Sequence, residues 1–189
     1  EAIEARVLDK TGTSTSANPD ETRQWVETAV IMIKGCSGLM ATFFDPILQD
    51  DQFDQSWERL LRYFRSFINV NLLEFSEAVF SSISDILSRV QTPDVLSKTS
   101  LRSAWSLWAN GHPARLEGPP DLDNPNQDAM LAYLRSFQQI YRLFKDDLTE
   151  EHIEQVLQHM RTAIWNSVSS RYSVDTDHQS ALQGLVVDC

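Results

Sequence analysis

Residues 53–68, FDQSWERLLRYFRSFI, decide the fold class of this chain. Apolar side chains recur there every three or four residues, which is the spacing of one face of an α-helix rather than the alternation of a β-strand. Three arginines fall between them and point away from the apolar stripe. The stretch therefore predicts an amphipathic helix with one buried face. The apolar positions are Phe53, Trp57, Leu60, Leu61, Phe64 and Ile68, and the arginines are Arg59, Arg62 and Arg65.

The same period continues on both sides of this stretch and predicts about seven helices in all. The region from Glu21 to about Gln49 has helical spacing, and Gly35, Gly38 and Pro46 are places where it bends or divides into two shorter helices. Only 6 Gly and 7 Pro occur in 189 residues, as a helical bundle requires. The other predicted helices run from about 71 to 90, 97 to 110, 124 to 145 and 149 to 164, and a last one starts near Asp177.

No segment alternates as a strand does, so the predicted fold is all-α. Short connections make consecutive helices antiparallel neighbours, and the unequal hairpins favour a HEAT- or armadillo-like α-solenoid segment. Residues 1–20 are polar and aperiodic and are predicted to be a flexible lead-in with Asp20 as a helix cap, whereas residues 21–189 form a single helical-repeat domain. The chain starts without Met and ends inside a predicted helix, so we expect it to be part of a longer protein.

Composition excludes some classes of function. There are 16 Lys+Arg against 27 Asp+Glu, a formal charge of −11, which argues against nucleic-acid binding because phosphates are held by clustered cations. Cys36 and Cys189 cannot build a disulfide framework, which indicates a reducing compartment. The N-terminus lacks the pattern of a signal peptide, and residues 28–44 are too short and too polar to cross a bilayer. We therefore expect a cytoplasmic protein.

The residues that carry chemistry form no catalytic motif. His152 and His159 share one predicted helix, but the spacing of a zinc site is missing, and packing or surface roles are expected for them and for His112 and His178. Residues 35–39, Gly-Cys-Ser-Gly-Leu, only approach a nucleophile elbow, because the second glycine and a preceding strand are missing. Cys36 has apolar neighbours and is expected to be buried.

Acidic and nucleotide-binding motifs are equally weak. Residues 121–124, Asp-Leu-Asp-Asn, lack the glycine and glutamate of a calcium loop, and no glycine-rich phosphate loop occurs. The acidic pairs at 146–147 and 150–151 are explained by capping and solvation at a helix junction. The sequence therefore predicts no catalytic, metal-binding or cofactor-binding residue, no cofactor and no small-molecule substrate.

Two features are compatible with binding. Arg59, Arg62 and Arg65 form a basic strip that suits an anionic lipid or an acidic partner, although a solvated helix face explains it more simply. Trp105 and Trp108 lie three residues apart, as anchors between stacked helices would. Aromatic residues that prove exposed would mark an interaction patch. The residues that bind a partner are not identified by the sequence.

Four stretches, in this order, resemble the C-terminal helical-repeat region of the monensin-sensitivity family. These trafficking scaffolds are related to the large Arf guanine-nucleotide exchange factors. The likeness covers about residues 25–165 and is carried by motifs that open or fill helices. The motifs are Ser56-Trp57-Glu58-Arg59-Leu60-Leu61, Glu77-Ala78-Val79-Phe80-Ser81-Ser82-Ile83-Ser84-Asp85-Ile86-Leu87, Ala104-Trp105-Ser106-Leu107-Trp108 and Tyr133-Leu134-Arg135-Ser136-Phe137.

The resemblance implies a non-catalytic scaffold recruited peripherally to Golgi and endosomal membranes. It implies a role in endosome-to-Golgi transport with a Dopey-type protein and an Arf-like small GTPase as partners. Members of that branch lack the catalytic exchange domain, so the resemblance does not imply an enzyme. Two alternatives stay open. One is a regulatory helical domain downstream of the catalytic unit of an Arf exchange factor. The other is a small helical hydrolase or lipid-handling protein with a pocket near Cys36 or the His152 and His159 face.

Overall fold

The computed structural model describes residues 19–113, 125–168 and 181–189. All of the regular structure in these residues is helical, which confirms the predicted all-α class. The described ranges contain eight α-helices, one more than expected, and two single 3₁₀ turns. The helices are α1 (Pro19–Thr42), α2 (Phe44–Leu48), α3 (Phe53–Ile68), α4 (Leu73–Ser88), α5 (Lys98–Asn110), α6 (Pro125–Phe144), α7 (Glu150–Val168) and α8 (Ala181–Asp188).

The additional helix comes from division of the first helical region. The break lies at Phe43, directly before α2, and Gly35 and Gly38 both stay inside α1. Pro46 explains the position of the break. In a continuous helix its ring would clash with the carbonyl of Thr42, four residues earlier, whereas proline is tolerated in the first turn of a new helix. At the other end, α1 already begins at Pro19, so Asp20 lies in its first turn rather than at the predicted cap.

Several predicted boundaries agree closely with the structure. The bounds of α3 are those of the quoted stretch, and α5 begins after Ser97, whose side chain accepts a hydrogen bond from the Ser100 amide at 3.1 Å. The helix expected from about 71 starts at Leu73, because the chain turns at Asn71 with a φ of 61°. The predicted start of the last helix near Asp177 lies outside the described residues.

The helices contact one another as two rows. In one row α4 contacts α1 and α6, and α6 contacts α8; in the other, α3 contacts α5. The rows meet where α3 packs on α4, α5 on α6 and α7 on α8. Stacked antiparallel hairpins would make these contacts. The regular repeat geometry of a HEAT- or armadillo-like solenoid, and the single domain over 21–189, stay predictions.

Helix α4 forms the centre of the core because apolar residues occupy more than one of its faces. Three sets of interhelical hydrogen bonds join the helices of this core. The Trp57 indole donates to the Ser100 carbonyl at 3.0 Å, and the Trp108 indole donates to the Tyr133 carbonyl at 3.2 Å. The Arg142 guanidinium donates to three carbonyls at or just beyond the end of α4, those of Leu87 at 2.9 Å, Val90 at 2.7 Å and Gln91 at 3.4 Å. The fully buried residues of α4 are Phe75, Ala78, Val79, Phe80, Ile83, Ile86 and Leu87.

Gly111 allows the close approach of α5 to this core. A Cβ atom there would lie 2.7 Å from the Leu107 carbonyl oxygen, 2.8 Å from the Phe80 ring and 3.1 Å from the Ile68 side chain. Any larger residue at this position would have to displace backbone or a buried ring. Gly111 therefore does more than end α5.

Candidate functional site

A groove of about 610 Å³ opens to solvent where α1, α4 and α6 meet. Helix α4 lies between the other two and contacts both. The groove is thus built on three helices of the packed frame rather than on a loop, which favours a preformed surface. Its lining residues are Val26, Glu27, Val30, Ile31, Leu73, Glu74, Glu77, Ser81, Asp128, Leu131, Ala132 and Arg135.

The floor of the groove is aliphatic. Val26 and Val30 of α1 and Leu131 of α6 are only half-buried, and Ile31 is 70% exposed. The inner face of α1, represented by Ala29 and Ile33, is fully covered by the core. The apolar surface of α1 thus extends around the helix beyond the part that its neighbours cover. Aliphatic side chains grouped in one groove offer a partner more apolar contact than isolated exposed residues do.

The rim of the groove is acidic. Glu27 and Glu77 form ion pairs with Arg23 at 3.0 Å and with Lys34 at 3.1 Å. Glu74 is exposed and belongs to the first turn of α4, where the helix dipole favours a carboxylate.

Asp128 likewise lies in the first turn of its helix, α6, and is also exposed. Neither Asp128 nor Glu74 has an ion pair among the described residues. The lining contains four carboxylates and one guanidinium, that of Arg135. Because Arg23 and Lys34 pair with two of the carboxylates, the groove with its ion-pair partners has a net charge of about −1 at neutral pH.

A second cavity of about 470 Å³ lies between α1 and α4 and is lined mainly by small polar residues. It includes Ser37 and Gly38 from the stretch that approaches a nucleophile elbow. That stretch lies inside α1, so the sharp turn that exposes an elbow nucleophile is missing. The Ser37 hydroxyl instead donates to the Lys34 carbonyl at 2.9 Å.

Cys36 is exposed, and the expectation that it is buried was wrong. The core-facing positions of α1 include Ile33, Ser37 and Met40, which lie at helical spacing. Cys36 precedes Ser37 by one residue, and one residue is a rotation of about 100° away from the core in an α-helix. Among the described residues, no hydrogen bond joins its thiol to a base.

The histidines pack against tryptophans, as the packing interpretation predicted for His152 and His159. The His152 ring lies 4.8 Å from the Trp105 ring, and the His159 ring lies 5.1 Å from the Trp108 ring. His152 also closes the start of α7. Its Nδ1 accepts from the Thr149 amide at 3.1 Å, and its own amide donates to the Thr149 hydroxyl at 3.4 Å. This reciprocal cap is normally made by glutamate or glutamine at that position, so the sequence motif did not reveal it.

His112 joins this aromatic cluster and stacks on His159, with ring centroids 5.4 Å apart. Its Nδ1 lies 3.0 Å from the Pro113 carbonyl and therefore carries the proton, while Nε2 is buried without a partner. Burial, and secondarily the neighbouring His159, lower the pKa of His112 below its ordinary value of 6.5. Burial likewise lowers the pKa of His159, and this effect outweighs that of a hydrogen bond to the Ala109 carbonyl, which raises the pKa.

Tyr133 lies at the centre of the same cluster. Its hydroxyl is buried without a partner, and burial raises its pKa well above the ordinary value of 10. Its ring stacks on Trp108, with centroids 5.0 Å apart. The lowered pKa values of His112 and His159 and the raised pKa of Tyr133 all favour the neutral forms, as in a closed core rather than a reaction site.

The remaining sequence candidates are dispersed. Arg59, Arg62 and Arg65 are all exposed, as expected, and Arg65 donates to the Ser106 hydroxyl at 3.2 Å. Trp105 and Trp108 are buried anchors. His178 and residues 121–124 lie outside the described residues.

The acidic pairs are engaged at helix ends. Asp147 pairs with Lys98 at 2.9 Å, and Glu150 and Glu151 are in the first turn of α7. No group of three or more His, Cys, Asp or Glu side chains in the described ranges could hold a metal ion. No described helix is long and apolar enough to span a membrane.

Comparison with known proteins adds no identity. No family model, no curated protein and no solved structure matches this chain. The groove is therefore a candidate site on the basis of its geometry alone. Sequence reasoning missed it because its walls come from positions near 26, 74 and 131, which only the tertiary fold brings together.

Proposed function

We propose that this chain is a non-catalytic scaffold segment of a large peripheral membrane-trafficking protein that acts in endosome-to-Golgi transport through protein–protein interactions. The groove between α1, α4 and α6 is its docking surface, and a helix of the partner protein occupies it. The observation that carries the proposal is the exposed aliphatic floor, where Ile31 is 70% exposed on a rigid helical frame. A partner helix gains stability by laying its apolar face on such a floor.

The resemblance to the monensin-sensitivity family supplies the trafficking part of the proposal. Its motif residues Trp57, Trp105 and Trp108 are buried here and tie α3, α5 and α6 together. Residues of this kind specify a frame rather than a reaction. The proposal accordingly assigns binding to the surface of that frame, in a cytoplasmic protein that associates peripherally with Golgi and endosomal membranes.

The test uses the longest natural protein that contains this sequence, in three forms: wild type, Ile31→Asp and Leu39→Asp. Both substitutions add one charge to an exposed position of α1, but only Ile31 lines the groove. Binding to a purified Dopey-type protein and to an Arf-like GTPase is measured by pulldown and titration. We expect Ile31→Asp alone to weaken one of the two interactions by about tenfold or more.

Equal binding by all three forms, or no binding by the wild type, would contradict the proposal. The parent sequence also decides between the two trafficking alternatives. A catalytic exchange domain upstream of this segment would identify a regulatory domain of an Arf exchange factor instead of a scaffold.

A further inference from the structure

We infer that the helix bound in the groove is basic and amphipathic, with Lys or Arg flanking an apolar stripe. The inference rests on the proposed function, because it names the chemistry of the partner at the same groove. It specifies the sign of the charge on the ligand and the length of helix that contacts the groove, and both are derived from the lining residues.

The acidic rim of the groove determines the sign of the charge that we expect on the bound helix. Four carboxylates, Glu27, Glu74, Glu77 and Asp128, surround the floor, and Arg135 is the one cation in the lining. Helix dipoles account for the two carboxylates in first turns, but Glu27 and Glu77 lie further inside their helices. Ion pairs with Arg23 and Lys34 account for these two, so the charge that is open to a ligand is that of Glu74 and Asp128. An acidic rim over an apolar floor is complementary to a helix whose leucine-like stripe is bordered by cations.

The free carboxylates provide the strongest contacts. Glu74 and Asp128 are exposed and have no ion pair among the described residues. A cation of the partner can therefore form an ion pair with either carboxylate without breaking an existing one. Glu27 already shares its charge with Arg23, and Glu77 with Lys34. We therefore assign the electrostatic part of recognition mainly to Glu74 and Asp128.

The length of the lining limits the ligand. On α6 it runs from Asp128 to Arg135, which is about 12 Å of helix, or two turns. A partner helix lying along it presents two turns of its own, so its apolar contacts fall at i, i+3 or i+4, and i+7. The stripe of the ligand is thus short, and charge contributes a large part of the selectivity.

A second copy of this chain is the less favourable occupant. Its exposed basic helix face, on α3, carries Arg59 and Arg62, but Tyr63 is the one exposed apolar ring beside them. The other apolar residues of α3 are buried or half-buried, so that face offers cations with a single ring rather than an apolar stripe to insert. The test below nevertheless includes self-association as one outcome.

The experiment compares two peptides of about 18 residues, long enough to form five helical turns. Both have leucine at the stripe positions; one has lysine on the flanks and the other has glutamate at the same positions. Each is titrated by calorimetry into the described protein and into four variants at an ionic strength of about 0.05 M and again at about 0.5 M. The variants are Ile31→Asp, Glu74→Lys and their matched controls Leu39→Asp and Glu154→Lys, which alter exposed residues outside the groove.

We expect the lysine peptide to bind at least about tenfold more tightly than the glutamate peptide at low salt, with a smaller ratio at high salt. Ile31→Asp should weaken the glutamate peptide at both ionic strengths, because the apolar contact is lost and a carboxylate is added. It should weaken the lysine peptide clearly at about 0.5 M, where the attraction of the added carboxylate is screened. Glu74→Lys should weaken the lysine peptide and strengthen the glutamate peptide. Leu39→Asp and Glu154→Lys should leave both affinities within about twofold of wild type.

Any other result overturns the inference. In most of these cases the proposed function can still be judged separately. Equal affinity for the two peptides would mean an apolar groove without charge selectivity, so the proposed function would stand and the basic ligand would not. A lysine peptide that binds as well to Ile31→Asp as to wild type at the higher ionic strength would place binding elsewhere. Dimerisation of the free protein that Ile31→Asp abolishes would assign the groove to a second copy. If neither peptide binds, the inference fails, and the pulldown of the Ile31→Asp parent protein decides the proposed function on its own.

Discussion

Helix α6 borders two apolar regions that follow the same helical period but differ in how they are covered. On the side of α5 and α7, the Trp108 ring is fully buried, stacks on Tyr133 at 5.0 Å and donates a hydrogen bond to its carbonyl. On the side of α1, aliphatic residues around Leu131 lie in an open groove beside Ile31, which is 70% exposed. The closed region fixes the frame, and the open region is left for a partner. Periodicity alone does not distinguish the two.

The largest effect is expected from breaking the closed region. Trp108→Ala removes a fully buried ring from the contact of α5 with α6 and leaves a cavity there, so the free energy of unfolding should fall by about 3 to 5 kcal/mol. Urea denaturation followed by circular dichroism measures the change. Trp108→Phe keeps most of the ring contacts and should cost clearly less. A loss below about 1 kcal/mol in Trp108→Ala would show that this region does not hold the frame.

A smaller loss is expected at Gly111, which borders the same core. Gly111→Ala forces a methyl group to within 2.7 Å of a carbonyl oxygen and 2.8 Å of the Phe80 ring, and it should cost about 1 to 3 kcal/mol. Gly38→Ala is the matched control, because nothing lies within 4 Å of its added Cβ inside α1. That change should stabilise the protein by about 0.5 to 1 kcal/mol. Equal effects of the two substitutions in denaturant melts would contradict the packing assigned to Gly111.

Acid should weaken the closed region through its histidines. The folded-state pKa values of His112 and His159 are lowered below 6.5, mainly by burial, so the unfolded chain binds more protons as the pH falls below that value. Stability from this source is therefore present above about pH 6.5 and is lost as the pH drops towards the folded-state pKa values. Because both rings are partly accessible to water, the loss should be smaller than that of Gly111→Ala.

The measurement is the urea midpoint between about pH 7.5 and pH 5, above the range in which most carboxylates titrate. The control is the double variant His112→Gln and His159→Gln, which removes both titrating rings. Its midpoint should vary less with pH than that of the wild type. Parallel pH profiles of the two proteins would show that these imidazoles do not carry the effect.

The smallest effect on stability is expected in the open region. Ile31→Asp changes a side chain that is already mostly in water, so the free energy of unfolding should stay within about 0.5 kcal/mol of wild type. Leu39→Asp, at 62% exposure on the same helix, should behave alike. A loss above about 2 kcal/mol for Ile31→Asp would mean that the groove wall belongs to the core, and it would no longer serve as a binding probe.

The sequence predicted the helices well where one apolar stripe is buried and the opposite face is exposed. In α3, the apolar positions from Phe53 to Ile68 were identified together with the exposed arginines, because one helix period encodes both. Cys36 was misplaced because apolar neighbours in sequence were taken as apolar surroundings, whereas a helix turns each residue to a different direction. The split of the first helical region at Phe43 was within the expected range, since Pro46 favoured a break there.

The groove could not be predicted from the sequence for a different physical reason. Val26, Val30 and Leu131 have the same apolar character as covered core residues, and their partial exposure depends on where three helices diverge. Likewise, the stacking of His112 on His159 joins residues that are far apart in the chain. These features depend on helix packing angles, which no local pattern encodes.

Methyl NMR of the protein titrated with the lysine-flanked peptide tests the central claim most directly. The account predicts that the shifts concentrate on groove methyl groups, those of Val30, Ile31 and Leu131, and leave the exposed Leu39 and Leu157 methyl groups unchanged. Shifts concentrated on Leu157 and its neighbours, with the groove unchanged, would contradict it.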